Sequence, residues 1–226
     1  MEDIQAVWNT ASCYIPTEEK RSKWWQRIST SISSASSSGK YFDQEFFRQK
    51  LNFVEEYSDK LTCKKSVVIA LLLQYLHYEP KLHGLNEEKT LEYFAEFLQD
   101  NLETNGLLSE QNQQILDNVE KLLITAIANS AGIFLHCNAF GDLDEHYFLD
   151  IDIAILGSKS EEYFKYTQII REEYASFSDE QYGKLRKRVL TELLTIPNVF
   201  STREFRERFE AKARENIQAE IVRLSE

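Results

Sequence analysis

Residues 148–157 read FLDIDIAILG, and they are the most informative stretch of the chain. It places Asp150 and Asp152 in an apolar run, where burying a carboxylate is costly unless something pairs with it or binds it. Two interpretations stay open: a carboxylate caps a helix or accepts hydrogen bonds from a neighbouring segment, or it is the remnant of a metal-ligand set. Residues two apart on a helix point to different sides, so we expect only one of the two to face inward.

The composition favours helices around this stretch. The chain of 226 residues contains only seven Gly and three Pro, too few for the many turns of a β-sandwich or barrel. Hydrophobic residues make up 42% of the chain, enough for a sizeable core. We therefore predict an all-α protein with one helical bundle over residues 40–226, preceded by N-terminal helices and a Ser-rich loop over residues 1–39.

Apolar residues recur at helical spacing along most of the chain. Residues 31–39 are nearly all Ser and predict a mobile loop, and residues 132–147, which contain two Gly, predict another. The residues from Val67 to Tyr78 are apolar nearly all round, as in a central buried helix. The other predicted helical segments are 3–10, 17–28, 41–57, 86–102, 115–123, 160–174, 178–193 and 201–221.

Charge and cysteine content limit the class of partner and the compartment. A net charge of -11 repels phosphate backbones, so a generic nucleic-acid ligand is disfavoured. Cys13, Cys63 and Cys137 share no close spacing, which indicates a reducing compartment. The longest apolar run, residues 67–73, is far too short to span a membrane. We expect a cytoplasmic protein with no membrane partner.

Motifs for catalysis are sparse. The four histidines, His77, His83, His136 and His146, form no HExxH or comparable spacing, and each is best interpreted as a structural imidazole. There is no GxSxG motif and no Gly-rich phosphate loop. The basic run from Lys184 to Arg188 is typical of a solvated, salt-bridged face. We expect no metal or other cofactor.

The C-terminal third nevertheless carries a resemblance. Residues 148–157 resemble the DADLAILG block of a family of predicted metal-dependent phosphohydrolases in the HD-domain superfamily. The similarity covers about residues 40–222 and is most specific after residue 148. It continues through Tyr163, Tyr166, IREEY (170–174), FSTREF (200–205) and EAKAREN (210–216).

The resemblance implies an HD-domain-like helical fold and a set of metal-ligand positions. A YHxxxH-like stretch corresponds to residues 41–46, with Phe42 and Phe46 in place of both histidines. The His-Asp doublet corresponds to Gln74 and Tyr75, and a TxxH-like stretch near residue 125 has no histidine. Asp152 is the one remaining ligand that the resemblance implies. A phenylalanine ring has no lone pair to offer a metal, and one carboxylate cannot hold a hydrolytic ion.

We therefore expect a non-catalytic HD-fold protein, a pseudoenzyme that acts as a protein-binding or scaffold module. Trp24 and Trp25 are the candidate partner-binding residues, since adjacent helix residues cannot both point inward. A metal-dependent phosphohydrolase rebuilt from His77, His136, His146 and Asp152 is an alternative. A nucleotide sensor without turnover, using Arg171 or residues 184–188, is another. The predicted vestigial pocket consists of Phe42, Phe46, Gln74, Tyr75, Asp150 and Asp152.

Overall fold

The computed structural model describes residues 1–79, 85–102, 109–130 and 140–225, with residue 130 described by its backbone alone. Helices account for nearly all of the regular structure in these ranges, and no β-strand occurs in them, so the all-α prediction is confirmed. No helix in these ranges is long and apolar enough to cross a membrane. Pro80, His83, His136 and Cys137 lie outside the described residues.

The chain divides into two compact units, residues 1–127 and residues 128–226. The predicted boundary after residue 39 stays a prediction, and the N-terminal helices lie within the first of these units. The helices of that unit are α1 (Glu2–Ala11), α2 (Glu18–Ser37), α3 (Gln44–Glu56), α4 (Lys64–Gln74), α5 (Leu85–Asn101) and α6 (Glu110–Ser130), the last of which runs to the end of the unit and beyond.

The core of the first unit is built around α4. Every residue of this helix from Ser66 to Leu73 is buried, as the apolar run predicted. Helices α1, α3 and α5 contact it. The ring of Trp24 on α2 meets that of Phe97 edge to face, with 5.1 Å between centroids. Trp8 on α1 lies 6.3 Å from the same phenylalanine ring, so Phe97 joins three helices.

The predicted Ser-rich loop is wrong for residues 31–37, which continue α2 to Ser37. Ile28 and Ile32 are both 1% exposed, so the apolar stripe of the helix extends into the serine run. The hydroxyls of Ser36 and Ser37 donate to carbonyl oxygens four residues earlier, at 3.0 and 2.8 Å. Burial of the stripe outweighs the weak helix propensity of serine.

The second unit contains α7 (Asp144–Ile153), a 3₁₀ turn (Ala154–Gly157), α8 (Ser160–Glu173) and α9 (Asp179–Thr195). A continuous helical segment then follows: α10 (Arg203–Phe205), a π-helical turn (Arg206–Glu210) and α11 (Ala211–Arg223). The predicted loop over residues 132–147 is wrong from Asp144 onward, where α7 has begun. The predicted capping box at Ser178 and Gln181 is confirmed.

Helix α11 organises the second unit. Its buried side chains are Ala213, Asn216, Ile217 and Glu220. The amide of Asn216 donates to the carbonyl oxygens of Leu156 and Ser158, both at 2.9 Å, and so fixes the 3₁₀ turn. Gly157 permits the close packing of the 3₁₀ turn on Phe209, because a Cβ at Gly157 would lie 2.5 Å from Cβ of Phe209.

Candidate functional site

Six aromatic side chains gather where α3 begins and α4 ends. We call them the aromatic cluster. Phe42 stacks on Tyr75 with 4.2 Å between ring centroids and an interplanar angle of 20°. Phe46 meets Phe42 at 4.8 Å and Tyr75 at 5.3 Å, in both cases edge to face. The members of the cluster are Tyr41, Phe42, Phe46, Phe47, Tyr75 and Tyr78.

Local sequence explains how the cluster forms. The carboxylate of Asp43 accepts the backbone N–H of Phe46 at 2.9 Å and so starts α3 between the two phenylalanines. Helix α4 ends at Gln74, which leaves Tyr75 at its C-cap. Phe46 is buried at 5% exposure, whereas Phe42 and Tyr75 are half-buried. The cluster therefore has an inner side in the core and an outer side that solvent reaches.

The structure brings four of the six predicted pocket residues together in the first unit. Phe42, Phe46 and Tyr75 are in the aromatic cluster, and the amide nitrogen of Gln74 lies 3.2 Å from the Tyr75 hydroxyl. The amide oxygen of Gln74 is buried and has no hydrogen-bond partner among the described residues. The other two predicted residues, Asp150 and Asp152, belong to the second unit.

Asp150 is the inward-facing member of the acidic pair, at 1% exposure, and Asp152 is half-buried. The Asp150 carboxylate accepts the backbone N–H groups of Ser201 and Thr202, both at 2.7 Å, and the Thr202 hydroxyl at 2.6 Å. Burial raises the pKa of Asp150 to about 6, although these donors and Arg206 act in the opposite direction. These contacts match the interpretation in which a carboxylate is bonded to a neighbouring segment.

The described residues contain no group of three or more His, Cys, Asp or Glu side chains that could hold a metal ion. His146 has a local structural contact: its Nδ1 accepts the backbone N–H of Leu143 at 3.1 Å, at the start of α7. The same ring lies against Gly141, where a Cβ would come within 2.1 Å of it. His136, another member of the proposed rebuilt site, lies outside the described residues.

Trp24, one of the two predicted partner-binding residues, is buried. Its side chain is 0% exposed, and its indole N–H donates to the carboxylate of Asp100 on α5 at 2.9 Å. Trp25 is half-buried. The two adjacent residues do point in different directions, as the helix geometry requires, but the apolar stripe of α2 through Ile28 and Ile32 selects Trp24 as the inner one.

Three of the cations in the nucleotide-sensor alternative already contact protein groups: Arg171, Lys184 and Arg186. The guanidinium of Arg171 donates to Asp179 at 2.6 Å and to the carbonyl oxygens of Tyr174 and Phe177. Lys184 pairs with Glu180 at 2.6 Å. Arg186 pairs with Glu220 at 2.8 Å, and both side chains are largely buried. The second pair is a structural link between α9 and α11.

A cleft of about 770 Å³ opens in the first unit, on the outer side of the aromatic cluster. This feature could not be found from the sequence, because its lining residues come from segments up to 70 positions apart along the chain. Polar side chains on one face of α2 contribute, as do aromatic rings of the cluster and of α5. The lining residues are Lys23, Gln26, Arg27, Thr30, Ser31, Ser34, Ala35, Lys40, Phe42, Tyr75, Leu76, His77, Tyr78, Glu79 and Tyr93.

Comparisons with known protein families, with curated proteins and with solved structures find no match to this chain.

Proposed function

We propose that this chain is a non-catalytic protein of HD-domain-like fold, which acts by binding a partner rather than by hydrolysing phosphoesters. The single observation that carries the proposal is the stacking of Phe42 on Tyr75 at 4.2 Å. These two residues occupy positions where the resemblance implies metal ligands. A packed pair of aromatic rings there leaves no imidazole and no carboxylate for a metal at those positions.

The fit of a metal to this site is poor on chemical grounds. Hydrolytic metal centres use several converging imidazole and carboxylate groups, which hold the ion and lower the pKa of its bound water. Phe42 and Phe46 offer only hydrocarbon rings, and Tyr75 and Gln74 are weak substitutes for a His-Asp doublet. The proposal therefore assigns the aromatic cluster a packing role and includes no metal-dependent step.

Hydrolysis is tested directly with the purified chain. We expect no turnover of bis(p-nitrophenyl) phosphate above buffer when Mn²⁺, Fe²⁺ or Zn²⁺ is added, and less than stoichiometric metal after purification without chelator. Asp152→Ala is the comparison variant, since the rebuilt-site alternative requires that carboxylate. Stoichiometric metal together with turnover that Asp152→Ala abolishes would establish the enzyme and refute the proposal.

A second experiment tests the assignment of the ligand positions. The fourfold variant Phe42→His, Phe46→His, Gln74→His and Tyr75→Asp puts the ligand types of the family back at the positions that the resemblance implies. We expect this variant to bind a divalent ion more tightly than the wild type in a competition titration with a chelating dye. A matched variant carrying Phe47→His and Tyr78→Asp, also in the aromatic cluster, is expected to gain no such affinity.

The binding partner that we propose is a protein. Trp25 is the remaining candidate anchor of the two tryptophans, because it is half-buried and Trp24 is in the core. Aromatic side chains dominate the energetics of many protein interfaces. Affinity capture followed by mass spectrometry, comparing wild type with Trp25→Ala, tests this role. Recovery of the same proteins in the same amounts with both chains would exclude Trp25 as the anchor.

A further inference from the structure

The cleft in the first unit combines three kinds of chemistry. The exposed face of α2 brings the hydroxyls of Thr30 and Ser34 to it. The half-buried rings of Tyr78 and Tyr93 add aromatic surface. Three cationic side chains and one carboxylate also line it: Lys23, Arg27 and Lys40 with Glu79.

The three cations differ in how closely each one pairs with a carboxylate of the protein. Lys23 lies 2.6 Å from Asp100, and Arg27 pairs closely with Glu96, so both tie α2 to α5. Lys40 is 3.6 Å from Glu79, which is a looser pair, and both side chains keep at least a third of their surface exposed. A surface pair of this kind contributes little to folding and is easily exchanged for a ligand. Lys40 is therefore the cation best placed to receive an anion.

The segment after α4 has unfilled hydrogen-bonding capacity beside the cleft. Nε2 of His77, a lining residue, is buried and has no hydrogen-bond partner among the described residues. Buried polar atoms normally have a partner, either in the protein or in ordered water. His77 therefore has hydrogen-bonding capacity that the described residues leave unused.

From this combination we infer that the cleft is a binding site for a small anion that carries an aromatic ring. Its volume of about 770 Å³ matches that of small-molecule pockets, which pair aromatic walls with a few placed polar groups. Lys40 would receive the anionic group, and the rings of Tyr78 and Tyr93 would contact the ring of the ligand. Recognition of this kind requires both parts of the ligand.

This inference goes beyond the proposed function, because binding in the cleft does not depend on whether the chain hydrolyses anything. A sulfonate probe that no phosphohydrolase can cleave keeps the two questions separate. Failure of the probe to bind leaves the hydrolysis experiments unaffected, and turnover of a phosphodiester leaves the binding result unaffected.

Isothermal titration calorimetry of the full chain with naphthalene-1-sulfonate tests the inference. We expect saturable one-to-one binding, and much weaker binding of two partial probes: methanesulfonate, which has the charge alone, and 1-naphthamide, which has the ring alone. The absence of measurable binding of naphthalene-1-sulfonate would overturn the inference. Equal affinity for either partial probe would overturn it as well, since one half of the recognition would then be missing.

Two variants place the binding in the cleft. Lys40→Ala removes the anion contact, and Tyr93→Leu removes a ring while retaining an apolar side chain. Each is expected to weaken binding of naphthalene-1-sulfonate by about tenfold or more, the effect of losing one charge-assisted or stacking contact. Lys165→Ala, at an exposed position in the second unit, is the matched control and is expected to leave the affinity unchanged.

Circular dichroism of each variant confirms that the helices are intact before titration. Unchanged affinity in both folded variants would overturn the inference, because the probe would then bind elsewhere. A loss of affinity in Lys165→Ala as large as in Lys40→Ala would do the same, since it would show a general charge effect. If Lys40→Ala does not fold, Lys40→Gln replaces it, and if Tyr93→Leu does not fold, Tyr93→Met replaces it; each replacement also removes the contact in question and is expected to weaken binding.

Discussion

Asp150 accepts two hydrogen bonds from Thr202, one from its backbone N–H at 2.7 Å and one from its hydroxyl at 2.6 Å. Thr202 is in turn the N-cap of the helical segment that ends the chain, where its hydroxyl oxygen accepts the N–H of Phe205. The carboxylate therefore holds the middle of α7 to the start of α10. This contact between two remote parts of the second unit explains why an acid is buried in an apolar segment.

The first prediction concerns the loss of this carboxylate. Asp150→Asn replaces an acceptor of three hydrogen bonds by an amide whose NH₂ group cannot accept any, so one or more buried donors lose their partner. We expect the free energy of unfolding to fall by about 2–4 kcal/mol at pH 7, where the carboxylate is ionised, measured by urea denaturation. Asp152→Asn, at the half-buried neighbour, is expected to cost less than about 1 kcal/mol. Equal losses in the two variants would contradict this assignment.

The second prediction is the pH dependence of the same site. Because burial raises the pKa of Asp150 to about 6, the folded protein binds a proton there more tightly than the unfolded chain does. The contribution of Asp150 to stability is then greatest below about pH 4 and decreases as the pH rises through about 6.

Urea denaturation at several pH values checks this sign. The stability advantage of the wild type over Asp150→Asn is expected to shrink by up to about 3 kcal/mol between pH 4 and pH 7. The other acids titrate in both proteins, so their effect cancels when the free energies of unfolding of the two proteins are subtracted at each pH. An advantage that grows with pH would show that the hydrogen-bond donors outweigh burial and hold the pKa low.

The third prediction concerns the buried charge of Glu220. Its carboxylate accepts the hydroxyl of Tyr163 and the guanidinium of Arg186, and it is 3% exposed. Glu220→Gln leaves Arg186 without its counter-charge, and we expect a loss of about 3–5 kcal/mol in the free energy of unfolding. Glu215→Gln on the same helix removes an exposed acid paired with Lys212 and is expected to cost less than about 1 kcal/mol.

A double-mutant cycle separates the two contacts of Glu220. Tyr163→Phe alone is expected to cost about 1–2 kcal/mol, the effect of one hydrogen bond to a charged group. In the background of Glu220→Gln, the same tyrosine change is expected to cost clearly less. Strict additivity of the two changes would indicate that the tyrosine hydroxyl and the carboxylate do not interact.

The fourth prediction compares two buried glycines. A Cβ at Gly157 would lie 2.5 Å from Cβ of Phe209 and 2.9 Å from its carbonyl oxygen. Gly157→Ala therefore pushes these two backbone segments apart and is expected to lower the free energy of unfolding by about 1–3 kcal/mol. A Cβ at Gly183, inside α9, would meet only the Leu224 carbonyl oxygen at 3.9 Å.

Gly183→Ala is therefore expected to stabilise the chain by up to about 1 kcal/mol, because alanine has the higher helix propensity. Thermal denaturation checks both predictions. Relative to the wild type, the midpoint of unfolding is expected to fall for Gly157→Ala and to rise for Gly183→Ala. Destabilisation of similar size in both would contradict the distinction between a turn with no room for a methyl group and a buried helix position that has room for one.

The fifth prediction concerns the tryptophan pair on α2. Trp24→Ala opens a cavity against Phe97 and leaves Asp100 without one of its donors, so we expect a loss of about 3–5 kcal/mol. Trp25→Ala is expected to cost about 1 kcal/mol, since this side chain is only half-buried. Denaturation followed by circular dichroism compares the two; a larger loss for Trp25→Ala would reverse the assignment of the inner residue.

The local features of this protein were predictable from its amino-acid sequence. Apolar spacing every three to four residues predicted helices, and a uniformly apolar run predicted the buried α4. The capping residues Ser178 and Gln181 predicted the start of α9. The start of the last helical segment was predicted at Ser201, one residue before the observed N-cap Thr202. These features were predictable because each depends on contacts within about one helical turn.

Which polar and aromatic groups meet depends instead on the packing of distant segments in the folded chain. This packing extended α2 through the serines, placed Trp24 rather than Trp25 in the core, and chose Asp150 over Asp152 as the buried acid. It also formed the cleft beside the aromatic cluster. The physical reason is that the spacing of apolar residues predicts which face of a helix is buried. It does not predict the partner of that face, because the partner lies far along the chain and is determined by packing and by the pairing of buried polar groups.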